Sequence, residues 1–245
     1  MRWRFPFLVL AALSGCETER RSATAPPATT TSSAPAAVAG PPVRIMPLGD
    51  SITQGDSYHD TYRRPLWKTL RSEGYDVDFV GSLNTNYGGP PPHSDFDLDH
   101  EGHWGWRVDQ ILAPLRSWLE AAEPDFLLVH LGSNDLFQRQ DLESTLDELR
   151  RLIEITGEVR PEATILLAQI LPTTIEAVND RIARLNARIT ALAGPRVIIV
   201  DAFTGFDPER MTYDGVHPSP DGEIHLSDVW LESLLRLLAP ATETR

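Results

Sequence analysis

Arg44-Ile45-Met46-Pro47-Leu48-Gly49-Asp50-Ser51-Ile52 is a short apolar run that breaks on a glycine and an acid and then resumes. Five residues of this kind, bounded by a turn signal, fit a strand buried on both faces inside a parallel sheet. Ser51 then lies on the turn from strand to helix, at the carboxyl edge of that sheet. A hydroxyl there is exposed, and backbone N–H groups around it point toward developing negative charge. Read alone, Ser51 is better explained as a helix N-cap, a position that Ser, Asp and Asn all favour.

Outward from this stretch, short apolar runs alternate with amphipathic segments, without an internal repeat. Further strands are predicted at Val77 to Val80, Phe126 to Leu131, Thr164 to Ala168 and Val197 to Val200. Helices are predicted near Tyr62 to Ser72, Val108 to Leu119, Leu142 to Ile155, Ala177 to Leu192 and Ser219 to Leu238. The alternation predicts an α/β domain in which each helix serves as a right-handed crossover. Asn84 to Trp106, rich in Gly, Pro, His and Asp, and Phe203 to Pro220 interrupt the pattern and read as long loops. In open parallel sheets, chemistry gathers where such loops leave the carboxyl ends of the strands.

Two motifs give Ser51 possible partners. Asp214-Gly215-Val216-His217 precedes the last helix. A histidine that takes a serine proton needs a carboxylate on its other ring nitrogen, and an Asp three residues earlier on one turn can supply it. Gly132-Ser133-Asn134-Asp135 follows the third strand, where an Asn side-chain N–H could face Ser51 as an oxyanion donor. Taken singly, these are also ordinary turn and cap residues. Asp50 neighbours the serine, and adjacent side chains on a turn diverge, so it is expected to bond backbone and hold the turn.

Other polar groups carry less. His93, Asp95, Asp97, Asp99, His100, Glu101 and His103 are dense in metal-ligand types, but no zinc motif fits, and carboxylates alone lack the ordered spacing of calcium loops. His130, inside a predicted strand, is expected to be a satisfied core histidine. His59 and His225 have no partner at a telling spacing.

At the N-terminus, Arg2 and Arg4 precede an apolar run from Phe5 to Leu13, the form of a signal peptide over residues 1–15. Leu13-Ser14-Gly15-Cys16 resembles the lipobox of bacterial lipoproteins. That resemblance implies acylation of Cys16, the only cysteine in the chain, and a place in the bacterial cell envelope on its periplasmic or extracellular side. Glu17 gives no sign of inner-membrane retention by an aspartate at that position. Residues 16–42, dominated by Ala, Thr, Ser and Pro, are expected to form a disordered tether. Residues 43–245 fit one domain, large enough for a core without disulfides. The net charge of −13 argues against nucleic acid and anionic membrane surfaces, which call for Lys and Arg clusters. Neutral glycans or small esters are left as partners, with membrane contact only through the Cys16 lipid, and a monomer is expected.

Gly49-Asp50-Ser51-Ile52, Gly132-Ser133-Asn134-Asp135 and Asp214-Gly215-Val216-His217, in this order, resemble the GDSL or SGNH hydrolase family from Val43 to about Leu238. The resemblance implies a three-layer α/β/α sandwich of flavodoxin-like type with about five parallel strands. It implies Ser51 as nucleophile, His217 as base and Asp214 as its orienter, with no metal or organic cofactor. Asn134, Gly105 and the Ser51 backbone N–H would form the oxyanion hole. Gly105 rests on Gly102-His103-Trp104-Gly105-Trp106-Arg107, where relatives usually carry a small residue or Ser in place of Trp104. Gly102 is the alternative donor, and Trp104 would narrow the pocket.

Gly49 to Gly55, Tyr62-Arg63-Arg64-Pro65-Leu66-Trp67, Asp78-Phe79-Val80-Gly81-Ser82 and His100-Glu101-Gly102-His103 resemble the acetylxylan-esterase-like branch, carbohydrate esterase family 3. This implies removal of acetyl groups from polysaccharide hydroxyls, with Trp104, Trp106 and Tyr58 as sugar platforms. Core packing is the competing role for each, and the preferred one for Trp67. The alternatives are a lipase, thioesterase or arylesterase of the same family, and a non-catalytic glycan-binding lipoprotein.

Overall fold

In the computed structural model, which describes residues 41–238, β1 (Val43–Gly49) is buried from Ile45 onward. Strand alternation sends Met46 and Leu48 to one face of the sheet and Ile45 to the other. The signal peptide, Cys16 and nearly all of the tether lie outside the described residues.

β1 organises the sheet. Its first half pairs in parallel with β2 (Val77–Phe79), from Val43↔Val77 to Ile45↔Phe79. Its other edge pairs with β4 (Phe126–His130), from Ile45↔Phe126 to Gly49↔His130. β5 (Thr164–Ala168) and β6 (Val197–Val200) extend that side, also in parallel, giving the order β2-β1-β4-β5-β6. The five predicted strands are therefore present with ends shifted by at most one residue, within ordinary assignment scatter.

Helices cover both faces. α3 (Val108–Ala122), α5 (Leu142–Val159) and α6 (Glu176–Ile189) bury Ile111, Leu149 and Leu185 against Met46, Leu127 and Leu167. α2 (Arg63–Ser72) and α8 (Pro220–Leu238) bury Leu66 and Trp230 against Ile45, Leu128 and Leu166. These are the three layers expected. Trp67 is half-buried against the second core, beneath Arg71 at 5.8 Å. No helix among the described residues is long and apolar enough to cross a membrane.

Two loop readings need correction. Asn84 to Trp106 contains β3 (Glu101–Gly102), which pairs with β1 through Leu48↔Glu101 and Gly49↔Gly102, along the edge that β2 leaves open. Phe203 to Pro220 contains α7 (Pro208–Met211), started by the Asp207 side chain on Glu209 N. Elements this short carry no periodicity to read. The same holds for α1 (Ser51–Gln54) and α4 (Ser133–Phe137), which follow β1 and β4 at their carboxyl ends. Without the two-residue β3, the strand order is the doubly wound 2-1-3-4-5, whose switch point lies between β1 and β4. Both α1 and α4 begin there.

Candidate active site

The turn after β1 is built for close approach. A Cβ on Gly49 would lie 2.3 Å from Thr53 Oγ1 and 2.8 Å from His130 O, so only glycine lets α1 fold back there. Asp50, not Ser51, is the N-cap: its Oδ1 accepts from Ile52 N at 3.0 Å. That removes the capping explanation for Ser51, which takes the first helical position with its hydroxyl free of cap duty and is 8% exposed. Burial pushes the Asp50 carboxyl up to about 6, moderated by the Ile52 N–H and by nearby His217.

The loop before α8 folds around one carboxylate. Asp214 Oδ1 accepts from Val216 N at 3.0 Å and His217 N at 2.8 Å. Its Oδ2 meets His217 Nδ1 at 2.7 Å, and His217 Nε2 lies 2.9 Å from Ser51 Oγ. Partial burial opposes the Asp214 charge, but the His217 and Val216 donors hold its carboxyl below the ordinary range. An ionised carboxylate only accepts, so Nδ1 carries the proton and Nε2 accepts from the Ser51 hydroxyl. The structure thus brings Ser51, His217 and Asp214 into one hydrogen-bonded chain, in the tautomer a general base needs.

Beside this chain opens a cleft of about 250 Å³ lined by Ser51, Trp104, Gly105, Asn134, Phe137 and Ile175, among others. Gly105 has φ +77°. The flanking N–H groups are engaged, Trp104 N with Gln54 Oε1 at 2.7 Å and Trp106 N with His103 O at 3.1 Å. Gly105 N–H and Ser51 N–H make no hydrogen bond among the described residues. Gly102 does not fit the alternative role. Its N–H donates to His100 Nδ1 at 2.9 Å, and a Cβ there would strike Gln54 N at 2.5 Å, so this glycine lets β3 pack under α1. Asn134 reaches the cleft, but Nδ2 donates to Trp106 O at 3.0 Å and Asp50 Oδ2 at 3.3 Å, which engages both of its hydrogens.

The aromatic candidates separate. Trp104 lines the cleft and stacks on His217, with centroids 4.8 Å apart, and on Tyr87, also at 4.8 Å. Trp106 is a packing residue instead, stacked on His103 at 4.4 Å and set against the α3 core. Tyr58 is 81% exposed and lines neither cavity that touches Ser51.

Two further readings change. His130 is fully buried, but neither ring nitrogen has a partner among the described residues, and burial lowers its pKa to about 4. His59 does have a partner, Asp56 Oδ1 at 2.8 Å from Nδ1. The signal was available, because Asp56-Ser57-Tyr58-His59 repeats the spacing of Asp214 to His217. The dense acidic and histidine segment is divided among separate bonds: Asp95 pairs with Arg64 and Lys68, Asp97 accepts from Phe79 N, and Glu101 accepts from Ser82. Among the described residues, no three His, Cys, Asp or Glu side chains group to hold a metal ion.

Arg63 had no functional signal in its spacing, yet it fixes the back of the site. Its buried guanidinium donates to Thr53 O at 2.9 Å, Gln54 O at 3.0 Å, Leu98 O at 2.9 Å and Asn86 Oδ1 at 2.8 Å. Burial lowers its pKa to about 10. One side chain thereby joins the end of α1 to the loop preceding β3.

Comparison with known proteins gives a consistent neighbourhood. The model of the GDSL-like Lipase/Acylhydrolase family matches residues 48–223. A carbohydrate esterase family 3 structure from Talaromyces cellulolyticus is 28% identical with a TM-score of 0.71, covering 80% of this chain and 97% of that one. A mutant acetyl esterase with an acetate ion is 27% identical, TM-score 0.70, covering 80% and 97%. A Clostridium thermocellum family 3 carbohydrate esterase is 32% identical, TM-score 0.66, covering 81% and 99%. The chain spans only 28% and 62% of the lengths of two curated relatives that it matches at 28% identity.

Proposed function

The chain belongs to the GDSL-like lipase/acylhydrolase family, and on that premise we propose that it is a serine esterase that removes acetyl groups from O-acetylated carbohydrate. The observation that carries the reading is the chain Asp214 Oδ2 to His217 to Ser51 Oγ, with contacts of 2.7 and 2.9 Å at the wall of an open cleft. Ser51 Oγ attacks the ester carbonyl while His217 Nε2 takes its proton, and Asp214 holds the imidazolium that forms. The oxyanion lies toward the N–H groups of Ser51 and Gly105. Asn134 joins them by releasing its longer bond, the 3.3 Å contact with Asp50. His217 returns the proton to the departing sugar oxygen, which leaves as the free hydroxyl, and water then hydrolyses the acyl-enzyme by the same route.

The acetyl side draws support from the 27% identical acetyl esterase structure that holds an acetate ion. The carbohydrate side draws support from the esterase family 3 neighbours and from the exposed rings of Tyr87 and Tyr213 near the site.

The test is hydrolysis of chromogenic esters by the parent and by Ser51→Ala. Loss of all turnover in the folded variant, with acetate preferred over butyrate and longer esters by the parent, is expected. Retained activity overturns Ser51 as nucleophile. A preference for long chains overturns the acetyl assignment in favour of a lipase.

A further inference from the structure

Five rings run in series through His217. Tyr87 stacks on Trp104 at 4.8 Å, Trp104 on His217 at 4.8 Å, His217 on Tyr213 at 5.7 Å, and Tyr213 on His59 at 4.0 Å, with interplanar angles between 3° and 24°. Both ends of the series are tied to residues 55–59. Tyr87 N donates to Gly55 O at 2.9 Å. At the other end Asp56 accepts from Tyr213 Oη at 3.3 Å and pairs with His59 Nδ1 at 2.8 Å. Asn86 joins the two ends by donating to His59 O at 2.7 Å and Asp56 O at 3.0 Å.

The two in-plane bonds of His217, to Asp214 and Ser51, leave its ring free to tilt about the line joining them. Stacked rings oppose that tilt. They also matter electrostatically, because the proton moving from Ser51 Oγ to His217 Nε2 turns the ring into a cation, and an aromatic face attracts a cation within about 6 Å of its centroid, Trp most strongly. Both stacking distances are inside that range.

We propose that Trp104 and Tyr213 are positioning residues that hold the His217 ring for Ser51 and stabilise its imidazolium through their π faces. The inference rests on His217 as the general base. The charged and titratable groups facing that ring are Asp214 at Nδ1, Asp50 behind Ser51, and His59 and Glu223 in the small cavity shared with Tyr213, with Asp56 beyond the Tyr213 hydroxyl. None of these is altered in the test.

The experiment measures kcat and kcat/KM for a chromogenic acetate ester against pH in the full chain and in Trp104→Phe, Trp104→Leu, Tyr213→Phe and Tyr213→Leu, with a thermal melt of each. Removing a ring destabilises the imidazolium, so the Leu variants move the acid limb to lower pH by about 0.4 to 0.7 unit. Their plateau kcat falls by about 2.5- to 5-fold, the effect of a single cation–π contact. The Phe variants keep most of both. A Leu limb coincident with the parent's overturns the proposal, and so does a Phe variant that shifts as far as Leu, since lost packing then suffices. Tyr213 is 42% exposed, so its pair gives the answer even where Trp104→Leu does not fold. Failure of the serine mechanism itself is seen separately, as activity in Ser51→Ala.

Discussion

Replacing Arg63 by Met retains an unbranched, flexible side chain and removes the guanidinium donors from the back of the site. Thr53 O keeps the Thr61 hydroxyl at 3.3 Å, but Gln54 O, Leu98 O and Asn86 Oδ1 lose their guanidinium bonds. A buried acceptor left without a partner costs about 1–3 kcal/mol, so three give a range of about 3–9 kcal/mol. Releasing a desolvated cation offsets part of this, and the lower third of the range applies: about 3–5 kcal/mol. At about 2–4 °C per kcal/mol for a domain of this size, Arg63→Met lowers the melting temperature by about 6–20 °C. Arg63→Lys, which keeps the charge but presents one nitrogen, falls between. Calorimetry and urea titration at pH 7 read the effect. A Met variant that melts within about 3 °C of the parent refutes the view that this cation fixes the loops. The same variant, while folded, also loses turnover, because Thr53 and Gln54 form the end of the helix that Ser51 begins.

The two glycines before α3 separate by role: Gly102→Ala places a Cβ 2.5 Å from Gln54 N and lowers the melting temperature by several degrees, about 1–3 kcal/mol of overpacking. Gly105→Ala has no atom within 4 Å of its Cβ but must hold φ +77°. It lowers kcat about tenfold or more, toward the roughly 100-fold of a lost oxyanion donor, with a smaller change in melting temperature. Asp135 is buried, accepts from Val108 N, and burial raises its pKa to about 7. The unfolded carboxyl ionises near pH 4, so the folded state holds the extra proton between about pH 4 and 7 and loses stability as pH rises through that window. Asp135→Asn therefore gains stability over the parent at pH 8 relative to pH 5, measured by urea midpoints, and a difference independent of pH refutes it.

The site was legible in the sequence where its contacts are local. Asp214 and His217 are three residues apart, and a carboxylate that bonds the next backbone N–H groups needs only that loop to reach the ring. Ser51 was legible as a nucleophile only beside the other two motifs, since a serine after an apolar strand reads alone as a helix cap. The strands were legible because burial between two helical layers makes each a continuous apolar run, and the main helices because one buried face imposes a helical period. β3 and α7 were not, since two to four residues carry no period, and α1 and α4 showed only as the turns and caps that begin them.

Only the tertiary structure brought His217 across 166 positions to Ser51, by placing the loop before α8 against the end of β1. It also decided matters of competition for donors and volume. Gly102 N–H is claimed by His100, both Asn134 hydrogens are claimed by Trp106 and Asp50, and Trp106 is drawn into the α3 core while Trp104 lies on His217. A sequence states which groups can bond. Which neighbour reaches each first depends on distances set by the packing of the whole sheet.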